Sequence, residues 1–361
     1  MDKKLMKAAV ARVYMGLRRP EWAPPKSRVA LTAAEKKEVE KLWGGVWSKP
    51  SFGWHEHFKA VNGEFDVRYM PTDVFYLDLL PKLSNRLLAA AWEDKAYYNV
   101  RYPDISFPKL LLVSIDGRLH DGDLSPIGWD AAYEIIKTRR AVFAKPSVES
   151  ARGIGAFKLD TSEVISPKDL KARFSKLDEN FVVQEVVEQH EMLSRFNSSS
   201  VNIMRLNSVR LGGEPFLANA SVRFGVKGEV TDVAYINGVE TANVVGINGD
   251  GQLKDFYCNQ DGLRRPVTDI GFVSGDAIPG FADVVECCSS IHRRMHHFGI
   301  VAFDMTVDKA GKPLVIETNL TFPGAVFYQY ANGPFFGDRT EEVIEWCKAR
   351  NNDASLKAIL V

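Results

Sequence analysis

Residues 300–320, IVAFDMTVDKAGKPLVIETNL, decide how the rest of the chain is read. Two apolar runs flank DKAGK, a stretch suited to a tight turn, so the segment predicts an antiparallel β-hairpin. A turn centred between Ala310 and Gly311 sets Asp304 opposite Glu317, and the strand period of two puts Asn319 on the same face as Glu317. Carboxylates side by side in apolar strands repel and lose hydration unless a cation joins them, and hard oxygen ligands favour magnesium. The hairpin therefore predicts a magnesium site at Asp304, Glu317 and Asn319. The competing reading gives these acids Arg or Lys partners, or an outer face in water.

Working back along the chain, FPKLLLVSIDG (107–117) reads as a strand, DAAYEIIKTRR (130–140) as a helix and AVFAKP (141–146) as a strand. The glycine loop SVESARGIG (147–155) then returns through the strand GAFKLD (155–160). It thus joins strand to strand, whereas the Walker loop and the dinucleotide fingerprint run from strand into helix; neither GxxxxGK[ST] nor GxGxxG occurs. Lys145 ends its strand beside this loop, where a cation and backbone N–H groups suit phosphate oxygens. Lys95, after Asp94 at a helix start, is a second candidate cation. Either lysine alone reads as a solvated surface charge.

Ser166 and Pro167 open a short helix, and NFVVQEVVEQHEM (180–192) is an apolar strand running into polar residues. VNIMRLNSVRLGGEPFLANASVRFG (201–225) predicts a hairpin turned at Gly212 and Gly213, residues 225–278 read as loop-rich, and FADVVECCSSIHRRMHHFG (281–299) as a helix ended by Gly299. Residues 1–92 are helical and loop-rich, with Thr32 and Glu35 at capping-box spacing. His55 and His57 lack a third ligand and read as structural; His292 and His296, beside Arg293 and Arg294, read as a solvated basic face.

The 361 residues suffice for two or three domains, and 45% hydrophobic content is that of a globular protein. Lys plus Arg and Asp plus Glu both number 46, which gives no reason to expect nucleic acid. Cys258, Cys287, Cys288 and Cys347 form no CxxC pair and read as reduced thiols of a cytoplasmic protein. The basic start, MDKKLMKAAVARVYMGLRRP, has an apolar stretch broken by Arg12, which reads against a secretory signal. It reads as a helix packed on its own domain, with peripheral membrane contact as the alternative.

AKPSVESARGIG (144–155), VVQEVVEQH (182–190) and FDMTVDKAGKPLVIETN (303–319) resemble, in order and spacing, the successive nucleotide motifs of the ATP-grasp superfamily. SSSVNIMRL (198–206), SVRFG (221–225) and IETNLTFPG (316–324) resemble its sugar-transfer-associated branch, whose genes accompany polysaccharide biosynthesis. The resemblance spans roughly residues 50–345. It implies an α+β ATP-grasp fold, two α+β subdomains gripping ATP after a mainly helical N-terminal region, divided as 1–92, 93–186 and 187–361. It further implies Lys95 and Lys145 on ATP phosphates, and a lid from Ser147 to Gly155 that includes Arg152 and Gly153. Gln184, Glu185 and the Val187 backbone would meet adenine; Glu188, His190 or Glu191 the ribose; Asp304, Glu317 and Asn319 the magnesium ion. Arg205 and Arg223, with Lys145, would form the catalytic set, the arginines holding the transferred phosphate or the substrate carboxylate; a structural salt bridge is the competing role. Ile203, where the branch has threonine, and Asp232-Val233, where it has Asp-Asn, depart from the pattern on the substrate side. The implied activity is ATP-dependent joining of a small-molecule carboxylate to an amine through an acylphosphate, with ATP and magnesium as cofactors. A kinase acting on a sugar hydroxyl and a nucleotide-binding scaffold remain as alternatives.

Overall fold

The computed structural model describes residues 24–44, 46, 51–148, 154–229, 231–236 and 239–350. The basic N-terminal segment, and Arg152 and Gly153 of the glycine loop, lie outside the described residues. Helix α1 (Ala33–Trp43) starts with the expected capping box, Thr32 and Glu35 each accepting the other's backbone N–H. Helix α2 (Gly53–Asn62) buries Trp54, His55, His57 and Phe58. Both histidines are structural, as expected: His55 Nε2 lies 3.0 Å from the Val67 carbonyl, and His57 bridges the Ser27 carbonyl and the Tyr330 hydroxyl. Short helical turns fill residues 72–101.

Next come β1 (Leu110–Ile115), β2 (Arg118–Asp121), α3 (Trp129–Lys137), β3 (Ala141–Pro146), β4 (Phe157–Asp160), α4 (Pro167–Phe174) and β5 (Phe181–Glu185). The five strands form an antiparallel sheet in the order β2-β1-β5-β3-β4. Helices α3 and α4 cover one face, where Ala132, Ile136, Leu170 and Phe174 pack on Leu111, Val142, Ala144 and Val183. The alternate residues of the strands turn the other way, so Val113 and Val182 pack on Ala96 while Lys145 projects on their side.

A second antiparallel sheet is built from β6 (Ile203–Val209), β7 (Phe216–Phe224), β10 (Asn243–Ile247), β11 (Leu253–Asn259), β12 (Arg264–Pro266), β13 (Ile300–Val307) and β14 (Pro313–Asn319), with a two-stranded ribbon, β8 (Ala234–Ile236) and β9 (Val239–Thr241), set apart. Its order is β12-β11-β10-β7-β6-β13-β14. The loop-rich stretch 225–278 also supplies three strands of this sheet, β10 to β12, that the sequence reading did not pick out. They are hard to see in the sequence because β10 and β12 are short, all three are set off by Asn, Gly and Asp turns, and a bulge between Val245 and Ile247 breaks the alternation where β10 meets β11.

Helix α5 (Phe281–Arg294) stops at Met295, a turn before the predicted glycine. Gly299 serves close approach instead: its N–H reaches the Leu83 carbonyl at 2.7 Å, and a Cβ would sit 2.6 Å from that oxygen. His292 corrects the solvated-face reading, because it lies on the same helix stripe as Val284, Cys288 and Ile291 and is fully buried. Its Nε2–H donates to the Phe298 carbonyl and Nδ1 meets the Ser208 hydroxyl; burial pushes its pKa down to about 4. Helices α6 (Val326–Asn332) and α7 (Thr340–Lys348) close the described chain.

The larger sheet has two unlike faces. Met204, Leu206, Ala220, Val222, Val301, Phe303 and Met305 pack with α5, each large side chain contributing roughly 1.5–3 kcal/mol by burial. Arg205, Asn207, Ser221, Arg223, Asp304 and Thr306 occupy the opposite face, and all but the half-buried Arg223 are buried. A polar layer inside a protein is costly unless its members satisfy one another, and Arg205 with Asp304 does so here, whereas the Thr306 hydroxyl has no hydrogen-bond partner among the described residues.

Candidate functional site

The hairpin turn is a three-residue loop, Lys309 to Gly311, closed by Asp308 N–H to the Lys312 carbonyl at 2.9 Å, with Gly311 at φ 77°. Its centre is Ala310, half a residue from the predicted place, and on its own it would set Asp304 opposite Ile316. A bulge between Asp304 and Met305 takes up Ile316, so Asp304 pairs with Glu317 after all. Asn319 Nδ2 lies 3.4 Å from Asp304 Oδ2, so the three side chains share one face.

Five strands, β3, β6, β7, β13 and β14, and one helical turn converge there. Arg205 stands opposite Asp304 across β6 and binds it through Nε and Nη2, the latter at 3.1 Å, while its Nη1 donates to the Pro323 carbonyl at 2.7 Å. From β7, Arg223 pairs with Asp232, reaches Asp304 Oδ2 at 3.4 Å and donates to the Tyr328 hydroxyl at 3.1 Å. Burial alone would lower the Arg223 pKa, but Asp232, Tyr328 and Asp304 hold it well above the ordinary value.

Lys95, 5% exposed, places Nζ 3.3 Å from Glu317 Oε2 and 3.5 Å from the Ser147 carbonyl. Lys145, 7% exposed, lies in the field of the same carboxylate. Its burial pushes the pKa down to about 8, Glu317 opposing the shift and Lys95 adding to it. Burial would raise Glu317, but Lys95, Lys145 and Arg205 outweigh it and bring that carboxyl down to about 2. Glu317 is therefore an anion between two lysines, and the Asp304 carboxyl lies between two arginines.

Among the described residues no group of three or more His, Cys, Asp or Glu side chains is gathered to hold a metal. Two carboxylates and an amide, all oxygen donors, nonetheless suit a cation that keeps waters and takes its remaining ligands from phosphates. Four cationic side chains around three carboxyls, those of Asp304, Glu317 and Asp232, still leave a surplus of positive charge, the environment a polyphosphate needs.

The other predicted residues sit apart. Lys145 pairs with Val182 and Val142 with Glu185, so the adenine candidates lie about 10 Å further along β5. Gln184 Nε2 is 3.4 Å from the Pro108 carbonyl, and Glu185 binds Arg139 at 2.9 Å. Val187 is half-buried in the segment that crosses to the larger sheet, where Gln189 bridges Asp308 and His190 N–H donates to the Val307 carbonyl. Glu188 pairs with Lys309 at 2.7 Å, His190 Nδ1 accepts from Met192 N–H, and Glu191 is exposed. Ser147 is buried and Gly155 adopts φ 79°. A cavity of about 690 Å³ lined by Tyr97, Arg118, His120 and Trp129, among others, contains none of these residues.

Sequence reasoning missed Glu93, Tyr98 and Tyr328. Tyr328 sits under Arg205, ring centroid 5.3 Å from the guanidinium carbon, and Glu93 and Tyr98 hold the end of β14. The period of two in IMRLNSVR and NASVRF would have exposed the polar layer, whereas contacts across more than 200 residues leave no local trace.

The sequence profile of the family described as sugar-transfer associated ATP-grasp matches residues 161–345, from the end of β4 into α7. No functionally curated protein matches the sequence. Among solved structures the chain is similar to VanG D-Ala:D-Ser ligase from Enterococcus faecalis, at 14% identity and a TM-score of 0.45, with 73% of this chain and 62% of that chain covered. It is similar also to D-alanyl-alanine synthetase A from Vibrio cholerae O1 biovar eltor, at 14% identity and TM-score 0.44, covering 72% and 65%. A third is the D-cycloserine synthetase DcsG, at 13% identity and TM-score 0.42, covering 74% and 73%. The chain spans less than two thirds of the length of the first two.

Proposed function

The chain belongs to the sugar-transfer-associated ATP-grasp family, and from that premise we propose that it is an ATP-dependent carboxylate–amine ligase. The observation that supports this most is the meeting of Lys95, Lys145 and Glu317 beside Asp304 and its two arginines, with the lysines contributed from outside the larger sheet. A substrate carboxylate attacks the γ-phosphorus of ATP, the bond to the β,γ-bridging oxygen breaks, and ADP leaves an acylphosphate behind. An amine then attacks the acyl carbon, phosphate departs, and the nitrogen loses a proton.

Lys95 and Lys145 offset charge on the phosphates as it shifts during transfer. Arg205 and Arg223, which bind Asp304, Asp232, the Pro323 carbonyl and Tyr328 through one N–H of each nitrogen, turn their remaining Nη N–H groups to the carboxylate or the transferred phosphoryl group. Asp304, Glu317 and Asn319 would hold magnesium, which would supply charge neutralisation to the phosphates. Gln184, Glu185 and the Val187 backbone meet adenine. Glu191 takes the ribose, because His190 Nδ1 is used in capping its helix and Glu188 in pairing with Lys309. Division at residues 93 and 187 belongs to the same proposal, as do a sugar acid or amino acid as substrate, a setting in polysaccharide assembly, and the cytoplasm as location. The four cysteines are free thiols, and among the described residues no helix is long and apolar enough to cross a membrane.

A coupled assay for phosphate release, scanning sugar acids and amino acids against amines, tests the reading. ADP and phosphate forming only when acid and amine are both present is expected. ADP forming without free phosphate, the phosphoryl group retained on a sugar hydroxyl, would overturn it in favour of a kinase.

A further inference from the structure

Strand β14 is the outer edge of its sheet, so its outward N–H groups need partners from elsewhere in the chain. Val315 N–H donates to the Ser106 carbonyl at 3.0 Å, and Thr318 N–H to the Tyr98 hydroxyl at 3.2 Å. Beyond the strand, Leu320 and Thr321 N–H both donate to Glu93 Oε1, at 2.5 and 2.9 Å, and the Thr321 hydroxyl donates to Oε2 at 2.8 Å. Tyr98 in turn donates to the Glu93 carbonyl at 3.1 Å, and Asp94 caps the turn between them by accepting from Ala96 N–H. Lys95, inside this turn, is the residue that reaches Glu317.

One helical turn thus grips the chain on both sides of Asn319, at Thr318 and at Leu320–Thr321, while presenting a lysine to Glu317. Edge strands fray at their ends, and ligands on a frayed end would not hold a fixed geometry. We infer that Glu93, assisted by Tyr98, is a positioning residue for the cation site, holding the end of β14 so that Glu317 and Asn319 stay in register with Asp304. This rests on the proposed MgATP reading and goes beyond it, since Glu93 points at backbone rather than at any ligand.

The test uses full-length protein and ADP as probe, with binding measured by titration calorimetry with and without magnesium, and amide hydrogen exchange read at residues 320 and 321. Glu93→Ala should weaken magnesium-dependent ADP binding by about 10- to 100-fold, the effect expected for losing an outer partner of a metal ligand, and speed exchange at both amides. Binding without magnesium should stay within about twofold of wild type, a split that a merely structural role would not produce. Glu93→Gln should recover most of the loss, because its amide oxygen accepts the two N–H groups and its NH₂ donates to the Thr321 hydroxyl. Should Glu93→Ala not fold, Thr321→Val removes one contact and should give a smaller loss of the same kind. Unchanged magnesium dependence and unchanged exchange in these variants would overturn the positioning role alone, as would equal losses with and without magnesium. Wild-type protein that shows no magnesium-dependent binding would overturn the proposed function, and this role with it.

Discussion

Lys145 concentrates the tension between stability and use. The folded chain releases its proton near pH 8, whereas an unfolded lysine keeps it to 10.5, so between these values the unfolded state binds more protons and stability from this group rises with pH. Below that window the protein bears a buried charge at a cost of about 3 kcal/mol. Lys145→Met keeps the apolar stem and removes the charge, so urea unfolding should find the variant more stable than wild type at a pH below 8, with the gap closing above 10.5. Its turnover should fall about 10²- to 10³-fold, as for a lost oxyanion donor, while nucleotide binding weakens less. A variant less stable and fully active would mark Lys145 as a structural cation. The position of this lysine at a strand end was legible from sequence. The pairing of Arg205 with Asp304 was legible only as one of two readings, because the guanidinium that satisfies a buried acid sits 99 residues away.

At the scale of elements, the hairpin pairing of Asp304 with Glu317 follows from two features acting together, a three-residue turn and a bulge that restores the register. Pattern alone reached the right partner with the wrong turn, because a single inserted residue leaves the alternation of apolar side chains nearly intact. Gly311 at φ 77° is the residue the turn depends on, since a side chain in the left-handed region costs about 1–2 kcal/mol. Gly311→Ala should lower stability by about that amount in chemical denaturation and leave nucleotide affinity within about twofold, the turn lying three residues beyond the bulge. Strands β10, β11 and β12 were illegible for a different reason. Strands β10 and β12 are too short to sustain a detectable period, and β11 does not alternate in burial, so only their neighbours in the sheet make them strands.

For the whole molecule, the N-terminal helices are part of the larger sheet's support. Val39, Trp43, Met70, Val74 and Phe75 share one core with Val209, Ile300, Phe335, Val343 and Ile344. Trp43 is fully buried and its Nε1–H donates to the Val67 carbonyl at 2.7 Å, so Trp43→Ala should cost about 3–5 kcal/mol. The loss should appear in one cooperative unfolding transition, followed by circular dichroism and by a nucleotide-binding probe; separate transitions would show that the helices fold independently. The α+β class and the hairpins β6–β7 and β13–β14 could be read from the sequence because they are local and their strands alternate over a long enough run. Which strands become neighbours could not, and β6 beside β13 is the clearest case, since it joins hairpins more than 70 residues apart in sequence. That pairing also sets an order in time. Closing so long a loop is slow, and until it closes Arg205 and Arg223 have no Asp304 to meet. In refolding experiments nucleotide binding should therefore return only with the slowest phase, well after helical signal, and on the ribosome a nascent chain ending before β13 carries its arginines without their acid. Competence arrives only with β13 and β14, which bring the acids to arginines already made.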